Sequence, residues 1–461
     1  MNPSFFRDVY EIWATDTNAA VFPGYLNEIA HLRLRRMVEY ASNASPFYQR
    51  KFKKSISSHA PFNCFPISNK AEMMSHFDQL VTNQEIRLAD IQEFTSSPTN
   101  IGKPFKNRYY IWESSGTNGL QGIYIQDRSC ISRYQAIEAM RKPIEAMFTQ
   151  YTRLILGQER IAYIGVLDQH YASTVSLAIL KEDFSSLKKS IRDFSIFEPI
   201  EQLVSKLTNY DPSVIITYPS MAICLADYAS TDLHPRELWL GGEHLSTKQR
   251  NYIEGALQTK IYCSYGASEF LPIAWQCHQG SLHVNSDWAL LEAVDENYLP
   301  LPAGKLSHTS LLTNLVNKAQ PIIRYDLGDQ ICYSPTKCLC GSLLPHIELA
   351  GRAVQHLKFI NINGEQVKIP ALAIIALIED HGIFNATISQ NETMTKGGNQ
   401  YLYVHFSNTS HPTEQQFQNI RYCIEQLLVF KNSINLLVLR SSIAQNSVNN
   451  SGKIDIFPPQ Y

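Results

Sequence analysis

The 461-residue chain carries 40 basic and 42 acidic side chains, a formal net charge of −2, and 44% hydrophobic residues. With the charges so nearly balanced, the chain has no overall electrostatic field that would favour binding to nucleic acid or to an anionic membrane. The apolar content is enough for the cores of two or three domains. We expect no signal peptide and no membrane segment, because the N-terminus lacks a basic start before an apolar run and all apolar runs are short; nine cysteines then favour a reducing, cytoplasmic location.

Residues 1–100 alternate helical patterns with proline-bearing breaks. Apolar residues recur at helical spacing over 31–40, and Pro46 ends that segment. A turn then precedes another helix, for which Ser68 or Asn69 is the expected N-cap because both side chains accept hydrogen bonds from free N–H groups.

Residues 114–119 form a loop rich in hydroxyl groups and glycine between two strand-like runs, 109–112 and 123–125. Small hydroxyl residues offer donors, and glycines let successive backbone N–H groups point into one concavity, which suits a phosphate. An ordinary Ser/Gly surface turn is the alternative. The loop by itself leaves both interpretations open.

Short apolar runs alternate with helical stretches from about residue 101 to 330. This alternation is typical of a parallel α/β sheet, and the strand candidates are 161–166, 214–218, 237–240 and 261–265. Ligands of such sheets bind beyond the carboxyl ends of the strands. We therefore expect the site where polar loops follow these strands.

The pattern changes after residue 329 and indicates a small α+β unit. Its expected elements are a hairpin (356–360 and 365–369, turning at Asn363-Gly364), helices at 370–379 and 414–428, and strands at 401–406 and 436–439. We place the domain boundary near 350, which divides the chain into a large domain over 1–350 and a small domain over 351–461.

A series of short motifs follows one order along the chain. They are Ser-Ser-Gly-Thr-Asn-Gly at 114–119, Gly-Gly-Glu at 241–243, Tyr-Gly-Ala-Ser-Glu at 265–269, Arg-Tyr-Asp-Leu-Gly-Asp at 324–329, Gly-Arg at 351–352 and Gly-Lys at 452–453. Neither a Walker-type loop nor a Gly-x-Gly-x-x-Gly fingerprint occurs. The order strongly resembles the adenylate-forming enzymes, most of all the phenylacetate–CoA ligase branch, from about residue 47 to 453. The resemblance implies an α/β fold with a large N-terminal domain and a small, mobile α+β C-terminal domain.

The resemblance also implies a role for each motif. Five loop residues would hold the ATP phosphates: Ser114, Ser115, Gly116, Thr117 and Gly119. The adenine and ribose would be bordered by Gly241, Gly242, Glu243, Tyr265, Gly266, Ser268, Asp329 and Arg352. Glu269 would bind Mg²⁺, a cation that prefers oxygen ligands, and Lys453 would reach the α-phosphate and the carboxylate during adenylation.

Each of these side chains has a simpler structural alternative. Tyr265 would pack in a core, and Glu269 would be a favourable charge at a helix N-terminus. Asp329 would be a turn residue, and Lys453 a solvated lysine near the C-terminus.

The expected hinge departs from the family pattern. Ala-Val-Gln follows Gly351-Arg352, where the family usually has an acidic pair, so Gln355 stands at the pivot. A pivot need only absorb a change in φ and ψ, so rotation remains possible. The departure bears on transfer of the acyl group to the thiol more than on adenylation. In the family, rotation of the small domain assembles the tunnel for the thiol acceptor.

A possible structural zinc site comes from cysteines and a histidine. Cys338 and Cys340 form a Cys-x-Cys pair, and Cys277 and His283 lie upstream, with His278 as an alternative ligand. Three thiolates and an imidazole would satisfy tetrahedral Zn²⁺. Reduced thiols used as small hydrophobic residues are the alternative.

The acid to be activated would lie between the loop at 114–119 and the strand that ends near 265. Its candidate walls are aromatic: Tyr163, His170, Tyr171, Tyr218, Trp239 and Trp275. They favour an aryl or arylacetic acid, or a compact apolar acid. His170 would hydrogen-bond a substituent or the carboxylate, or else be an ordinary surface histidine.

The expected activity is that of an AMP-forming acid–thiol ligase that uses ATP and Mg²⁺ and passes the acyl group to coenzyme A. Two alternatives stay open: transfer to an acyl carrier protein or an amine, and a non-catalytic nucleotide-binding homologue that serves as a scaffold. The expected partners are small molecules, without nucleic acid or membrane, and members of this branch are often homodimers.

Overall fold

The computed structural model describes residues 3–53, 61–114, 121–141, 153, 159–229, 232–352, 356–383, 386–390, 400–406, 412–426, 428 and 436–442. The helices are α1 (Pro3–Val21), α2 (Tyr25–Ala44), α3 (Pro46–Lys53), α4 (Lys70–Ser75), α5 (Phe77–Leu80), α6 (Leu88–Thr95), α7 (Arg128–Arg141), α8 (Ala172–Asp183), α9 (Ser185–Ser190), α10 (Ile200–Tyr210), α11 (Pro219–Ala229), α12 (Thr247–Leu257), α13 (Ala371–Glu379) and α14 (Glu414–Glu425).

The strands are β1 (Tyr109–Glu113), β2 (Ile123–Asp127), β3 (Ile161–Gly165), β4 (Ile191–Ser195), β5 (Val214–Thr217), β6 (Glu237–Leu240), β7 (Lys260–Ala267), β8 (Phe270–Gln276), β9 (Leu282–Val284), β10 (Ala289–Val294), β11 (Thr309–Asn314), β12 (Tyr325–Asp326), β13 (Asp329–Tyr333), β14 (His346–Arg352), β15 (His356–Ile360), β16 (Gln366–Pro370), β17 (Ala386–Gln390), β18 (Gln400–Phe406) and β19 (Leu436–Ser442).

A nine-stranded mixed sheet organises the large domain, in the order β13-β14-β9-β8-β7-β6-β5-β3-β4. The strands from β4 to β7 pair in parallel, and those from β7 to β13 pair antiparallel. The predicted parallel strands β3, β5, β6 and β7 are confirmed. Sequence reasoning missed β4, whose two central residues are exposed and interrupt the apolar run.

Strand β7 is longer than its pattern predicted. The apolar pattern predicted that this strand ends at residue 265. The strand continues to Ala267, where a tight connection leads into β8. A Cβ at Gly266 would lie 2.1 Å from the carbonyl oxygen of Leu271, so only glycine allows this approach of the two strands. The Tyr-Gly-Ala-Ser-Glu motif is therefore a hairpin and not a loop that follows a strand.

Three hydrophobic cores support the chain. One joins the N-terminal helices to β1, β2, β8 and β10, a second packs α10 to α12 on the parallel half of the sheet, and the third lies within 357–438. In the third, the predicted hairpin, helices and strands are confirmed. The domain boundary near 350 stays a prediction.

Local signals elsewhere also match the structure. The side chain of Asn69 accepts a hydrogen bond from the backbone N–H of Glu72 at 2.9 Å, so Asn69 is the N-cap of α4. Among the described residues, the helices are too short or too polar to cross a bilayer.

Candidate active site

Two hydrogen bonds close the neck of the loop at 114–119, although residues 115–120 lie outside the described part of the chain. The N–H of Ser114 donates to the carbonyl oxygen of Gly122 at 2.8 Å, and the N–H of Gly122 donates to Ser114 Oγ at 2.9 Å. Lys70 Nζ also donates to Ser114 Oγ, at 3.1 Å. An ammonium group thus stands at the base of the expected phosphate loop.

Lys70 was missed by the sequence analysis. It is the first residue of α4, and its surroundings were interpreted only as a helix start. The contact joins residues 44 positions apart, which no local periodicity reveals.

Glu269, the expected Mg²⁺ ligand, is a buried carboxylate held by tyrosine. Tyr124 Oη donates to Glu269 Oε1 at 2.5 Å, and the hydroxyl of Tyr325 lies 3.3 Å from that of Tyr124. Burial and the charge of Glu269 raise the pKa of Tyr124, which therefore stays a donor at neutral pH. The hydroxyl is also close to the loop neck, because a Cβ at Gly122 would lie 2.8 Å from Tyr124 Oη and 3.0 Å from Ser114 Oγ.

Tyr265 packs in the core and supports the expected ribose ligand at the same time. Its ring is buried, and its hydroxyl donates to Asp329 Oδ2 at 2.7 Å. Burial and the neighbouring Asp329 carboxylate raise the pKa of Tyr265 well above its usual range. Asp329 begins β13 and pairs with Arg352 on β14, so two expected nucleotide contacts lie opposite each other in the sheet.

The Gly-Gly-Glu motif follows β6 at the carboxyl edge of the sheet. Glu243 accepts hydrogen bonds from the N–H of Ser220 at 2.9 Å and from its hydroxyl at 3.0 Å, at the start of α11. A carboxylate is favourable there because the N–H groups of a first helical turn lack helical partners. Gly242 has φ 83°, and a Cβ at Gly241 would lie 3.3 Å from Ser264 Oγ, so glycine suits both positions.

Three of the predicted pocket residues form one group near the carboxyl ends of β3 and β5. Tyr163 Oη lies 3.1 Å from Ser173 Oγ, and burial raises the pKa of Tyr218. Burial, Glu113 and Asp168 raise the pKa of Tyr171 to about 12. All three tyrosines are buried and remain neutral at pH 7.

The other predicted pocket rings have partners of their own. His170 is buried, with Nε2 3.1 Å from the carbonyl oxygen of Ser97, so the alternative of a surface histidine is wrong. Trp239 stacks on Tyr262 with ring centroids 4.7 Å apart. Trp275 stacks on His283, which belongs to the possible metal site.

The possible zinc ligands are brought together from strand β9, which carries His283, and from the segments that hold Cys277, Cys338 and Cys340. Ligand atoms of Cys277, His283, Cys338 and Cys340 all lie within 4.8 Å of one another. Cys277 Sγ is 3.8 Å from Cys338 Sγ, and Cys340 Sγ is 3.2 Å from His283 Nε2. His283 Nδ1 lies 2.9 Å from the carbonyl oxygen of Leu344, which orients Nε2 toward the thiols, and burial lowers the pKa of this ring. A neutral, oriented imidazole beside three thiols fits Zn²⁺.

The end of α13 contacts the start of α12 in the large domain. Glu379 accepts hydrogen bonds from Ser246 Oγ at 3.2 Å and from Gln249 Nε2 at 2.9 Å, and Lys248 pairs with Asp380. The expected pivot Gln355 and the expected catalytic Lys453 lie outside the described residues.

Comparison with known proteins agrees with the architecture. No family model matches the chain. A curated relative, phenylacetate-coenzyme A ligase of Thermus thermophilus, is 30% identical over 200 residues, which are 40% of this chain and 44% of that protein. The match therefore spans less than half of the relative's length.

Solved structures of 2-hydroxyisobutyryl-CoA ligase share the fold over nearly the whole chain. In the postadenylation state with 2-HIB-AMP, the TM-score is 0.65 at 18% identity, covering 93% of this chain and 88% of that one. The open and thioesterification states of the same enzyme give 0.54 and 0.53. The chain thus shares the α/β fold of this ligase, and the predicted resemblance to phenylacetate–CoA ligase is confirmed over the 200 matched residues.

Proposed function

We propose that this chain activates a carboxylic acid with ATP and Mg²⁺ and transfers the acyl group to the thiol of coenzyme A. The supporting observation is the proximity of the loop neck to a buried carboxylate. The Ser114 neck with its Lys70 ammonium adjoins Tyr124, and Tyr124 holds Glu269. A phosphate loop beside a buried carboxylate is the arrangement that a metal–nucleotide complex requires.

In the proposed reaction a substrate carboxylate oxygen bonds to the α-phosphorus of ATP, and the bond to pyrophosphate breaks. The thiol sulfur then bonds to the acyl carbon, its proton is lost, and AMP leaves. Mg²⁺ supplies charge neutralisation on the phosphates, and Glu269 would hold it. Lys70 would contact the outer phosphates, Asp329 would accept the ribose hydroxyls, and Lys453 would reach the α-phosphate.

The tyrosine group supports an aryl or arylacetic acid as the substrate. Tyr163, Tyr171 and Tyr218 provide flat apolar surface for a ring and hydroxyl donors for a polar substituent.

Carboxylate-dependent exchange of pyrophosphate into ATP, measured over a panel of acids, tests the first step. We expect exchange with aryl or arylacetic acids. Asp329→Ala should raise the KM for ATP, and Lys453→Ala should abolish exchange while ATP still binds. If folded protein binds ATP but no acid supports exchange, the ligase proposal fails and the scaffold alternative stands.

The acceptor is identified in a second assay. Coenzyme A, a holo carrier protein and an amine are each supplied with the acid found in the first assay, and the acyl product is measured. Thioester formation with coenzyme A supports the proposal. If product forms only with a carrier protein or only with an amine, that acceptor takes the place of coenzyme A in the proposed function.

We also propose that Cys277, His283, Cys338 and Cys340 hold a structural Zn²⁺ and that the protein is cytoplasmic. The ligand set supports the metal, and the nine cysteines, none of which is in a disulfide, support a reducing compartment. We expect one equivalent of zinc after dialysis and a lower Tm after chelation. Less than about a tenth of an equivalent in folded protein would exclude the site, since structural zinc binds tightly.

A further inference from the structure

Three buried amide side chains follow one another along the irregular connection between β11 and β12. Asn314 ends β11, and Asn317 and Gln320 come after it at intervals of three residues. All three side chains are completely buried. We call them the amide ladder. A buried amide without hydrogen bonds destabilises the folded state, so the partners of the ladder show what it holds.

The side-chain oxygens of the two asparagines hold the connection itself. Asn314 Oδ1 accepts the backbone N–H of Val316 at 2.9 Å and that of Asn317 at 3.0 Å. Asn317 Oδ1 accepts the N–H of Ala319 at 3.0 Å and that of Gln320 at 3.3 Å. Asparagine fixes turns through bonds of this kind to its own backbone a few residues on. The amide nitrogens are left to bind other parts of the chain.

Two members of the ladder bind the backbone of β2. Gln320 Nε2 donates to the carbonyl oxygen of Ile123 at 3.0 Å, and Gln320 Oε1 accepts the N–H of Ile125 at 2.7 Å. Asn317 Nδ2 donates to the carbonyl oxygen of Ile125 at 2.8 Å. Within the described part of the chain, β2 pairs with β1 in a two-stranded sheet. Because a two-stranded hairpin alone is marginally stable, these side chains do for β2 what a third strand would do.

The third member of the ladder binds the backbone at Glu269. Asn314 Nδ2 donates to the carbonyl oxygen of Glu269 at 2.9 Å and lies 2.7 Å from the hydroxyl of Tyr134. Glu269 stands between β7 and β8, and its carboxylate accepts a hydrogen bond from Tyr124 on β2. Strand β2 and Glu269 are therefore joined twice, by the ladder through their backbones and by Tyr124 through side chains.

We propose that the amide ladder sets the distance between the loop at 114–119 and the carboxylate of Glu269. The inference rests on the proposed function, in which this loop holds the ATP phosphates and Glu269 binds Mg²⁺. Strand β2 starts directly after Gly122 in the loop neck, so a shift of β2 moves the neck. Residues that orient a metal ligand typically contribute roughly 10–100-fold to metal affinity or activity. Asn314, Asn317 and Gln320 are thus positioning residues that act through β2 and Glu269.

Gln320→Met tests the inference, because it removes both hydrogen bonds of Gln320 to β2 and nearly keeps the volume of the side chain. Calorimetric titration with ATP, in Mg²⁺ and in EDTA, requires no acid substrate. We expect Mg²⁺ to strengthen ATP binding to the wild type and this gain to fall about tenfold in the variant. The Kd for AMP should stay unchanged. In pyrophosphate exchange, kcat should fall about tenfold while the KM for the acid stays unchanged.

Gln400→Met is the matched control, because Gln400 makes the same two bonds in the small domain. Its Nε2 donates to the carbonyl oxygen of Ile360 at 2.7 Å, and its Oε1 accepts the N–H of Ile360 at 2.7 Å. This control should lower the Tm to a similar degree. The gain of ATP affinity from Mg²⁺ should remain that of the wild type.

Gln320→Glu separates positioning from packing. A protonated carboxyl group can donate to Ile123 and accept from Ile125, and burial raises the pKa of a carboxyl group. The Mg²⁺-dependent gain of this variant should therefore approach the wild-type value at about pH 6 and fall at about pH 8.5. If Gln320→Met does not fold, this comparison in folded Gln320→Glu decides by itself.

Three results would overturn the inference: an unchanged Mg²⁺-dependent gain in the folded Gln320 variants, an equal loss in Gln400→Met, or no effect of Mg²⁺ on ATP binding to the wild type. Failure of the proposed function gives a different result. In that case no acid supports exchange, while the Mg²⁺-dependent binding of ATP still weakens in Gln320→Met.

Discussion

Tyr265→Phe tests whether the buried tyrosine of β7 positions Asp329, the residue proposed to bind the ribose. The substitution keeps the ring that fills the core and removes only the hydroxyl that donates to Asp329 Oδ2 at 2.7 Å. A hydrogen bond to a charged group contributes about 1.5–3 kcal/mol, and the lower end applies because Asp329 is half-buried. About 1.5 kcal/mol corresponds to a roughly tenfold increase in the Kd for ATP.

The assay is pyrophosphate exchange as a function of ATP concentration, together with calorimetric binding of AMP, which shares the ribose. Both affinities should fall about tenfold, because both ligands would use Asp329 in the proposed site, while kcat changes little. The matched control is Tyr333→Phe, which removes a hydroxyl that donates to the carbonyl oxygen of Leu291 at 2.7 Å. Tyr333 lies on β13 with Asp329, and its loss should leave nucleotide affinity unchanged. Unaltered ATP and AMP affinity in folded Tyr265→Phe, or an equal loss in the control, would refute the reasoning.

Three further substitutions probe the loop neck, the interdomain contact and α1. Lys70→Ala should weaken the binding of ATP but leave the binding of AMP unchanged, because AMP lacks the outer phosphates. An equal loss of affinity for both nucleotides in calorimetry would remove Lys70 from the phosphate site. Lys248→Ala should slow exchange about two- to fivefold, the range expected of an exposed ion pair, without slowing thioester formation from added acyl-AMP. The charge-swapped Lys248→Asp/Asp380→Lys pair should restore exchange, and no restoration would argue against the contact. Burial alone would raise the pKa of Glu11, but hydrogen bonds and charges from Arg133 on α7 and Arg33 on α2 lower it. The stabilisation from Glu11 is therefore present above pH 4.5 and is lost as the pH falls through its lower folded-state pKa. Urea unfolding should therefore show Glu11→Gln less stable than wild type at pH 7 and equal to it near pH 3; a difference that persists at pH 3 would contradict this origin.

The sequence by itself determined the fold class and, apart from β4, the parallel strands of the large sheet. Alternating apolar and helical runs fixed the parallel strands β3, β5, β6 and β7, because burial on both faces of a sheet demands continuous apolar residues. The Asn69 cap and the turn at Gly364 were also readable, since both depend on neighbours within a few residues. The motif order then indicated the family whose fold the chain shares.

The tertiary structure decided how those motifs are held. Tyr124 reaches Glu269 across 145 positions, Tyr265 reaches Asp329 across 64, and Lys70 reaches Ser114 across 44. Periodicity records whether a residue is buried, but it carries no information about which distant side chain meets it. Helix α1 shows the same limit, because its acids pair with arginines on α2 and α7 that lie far away in the sequence.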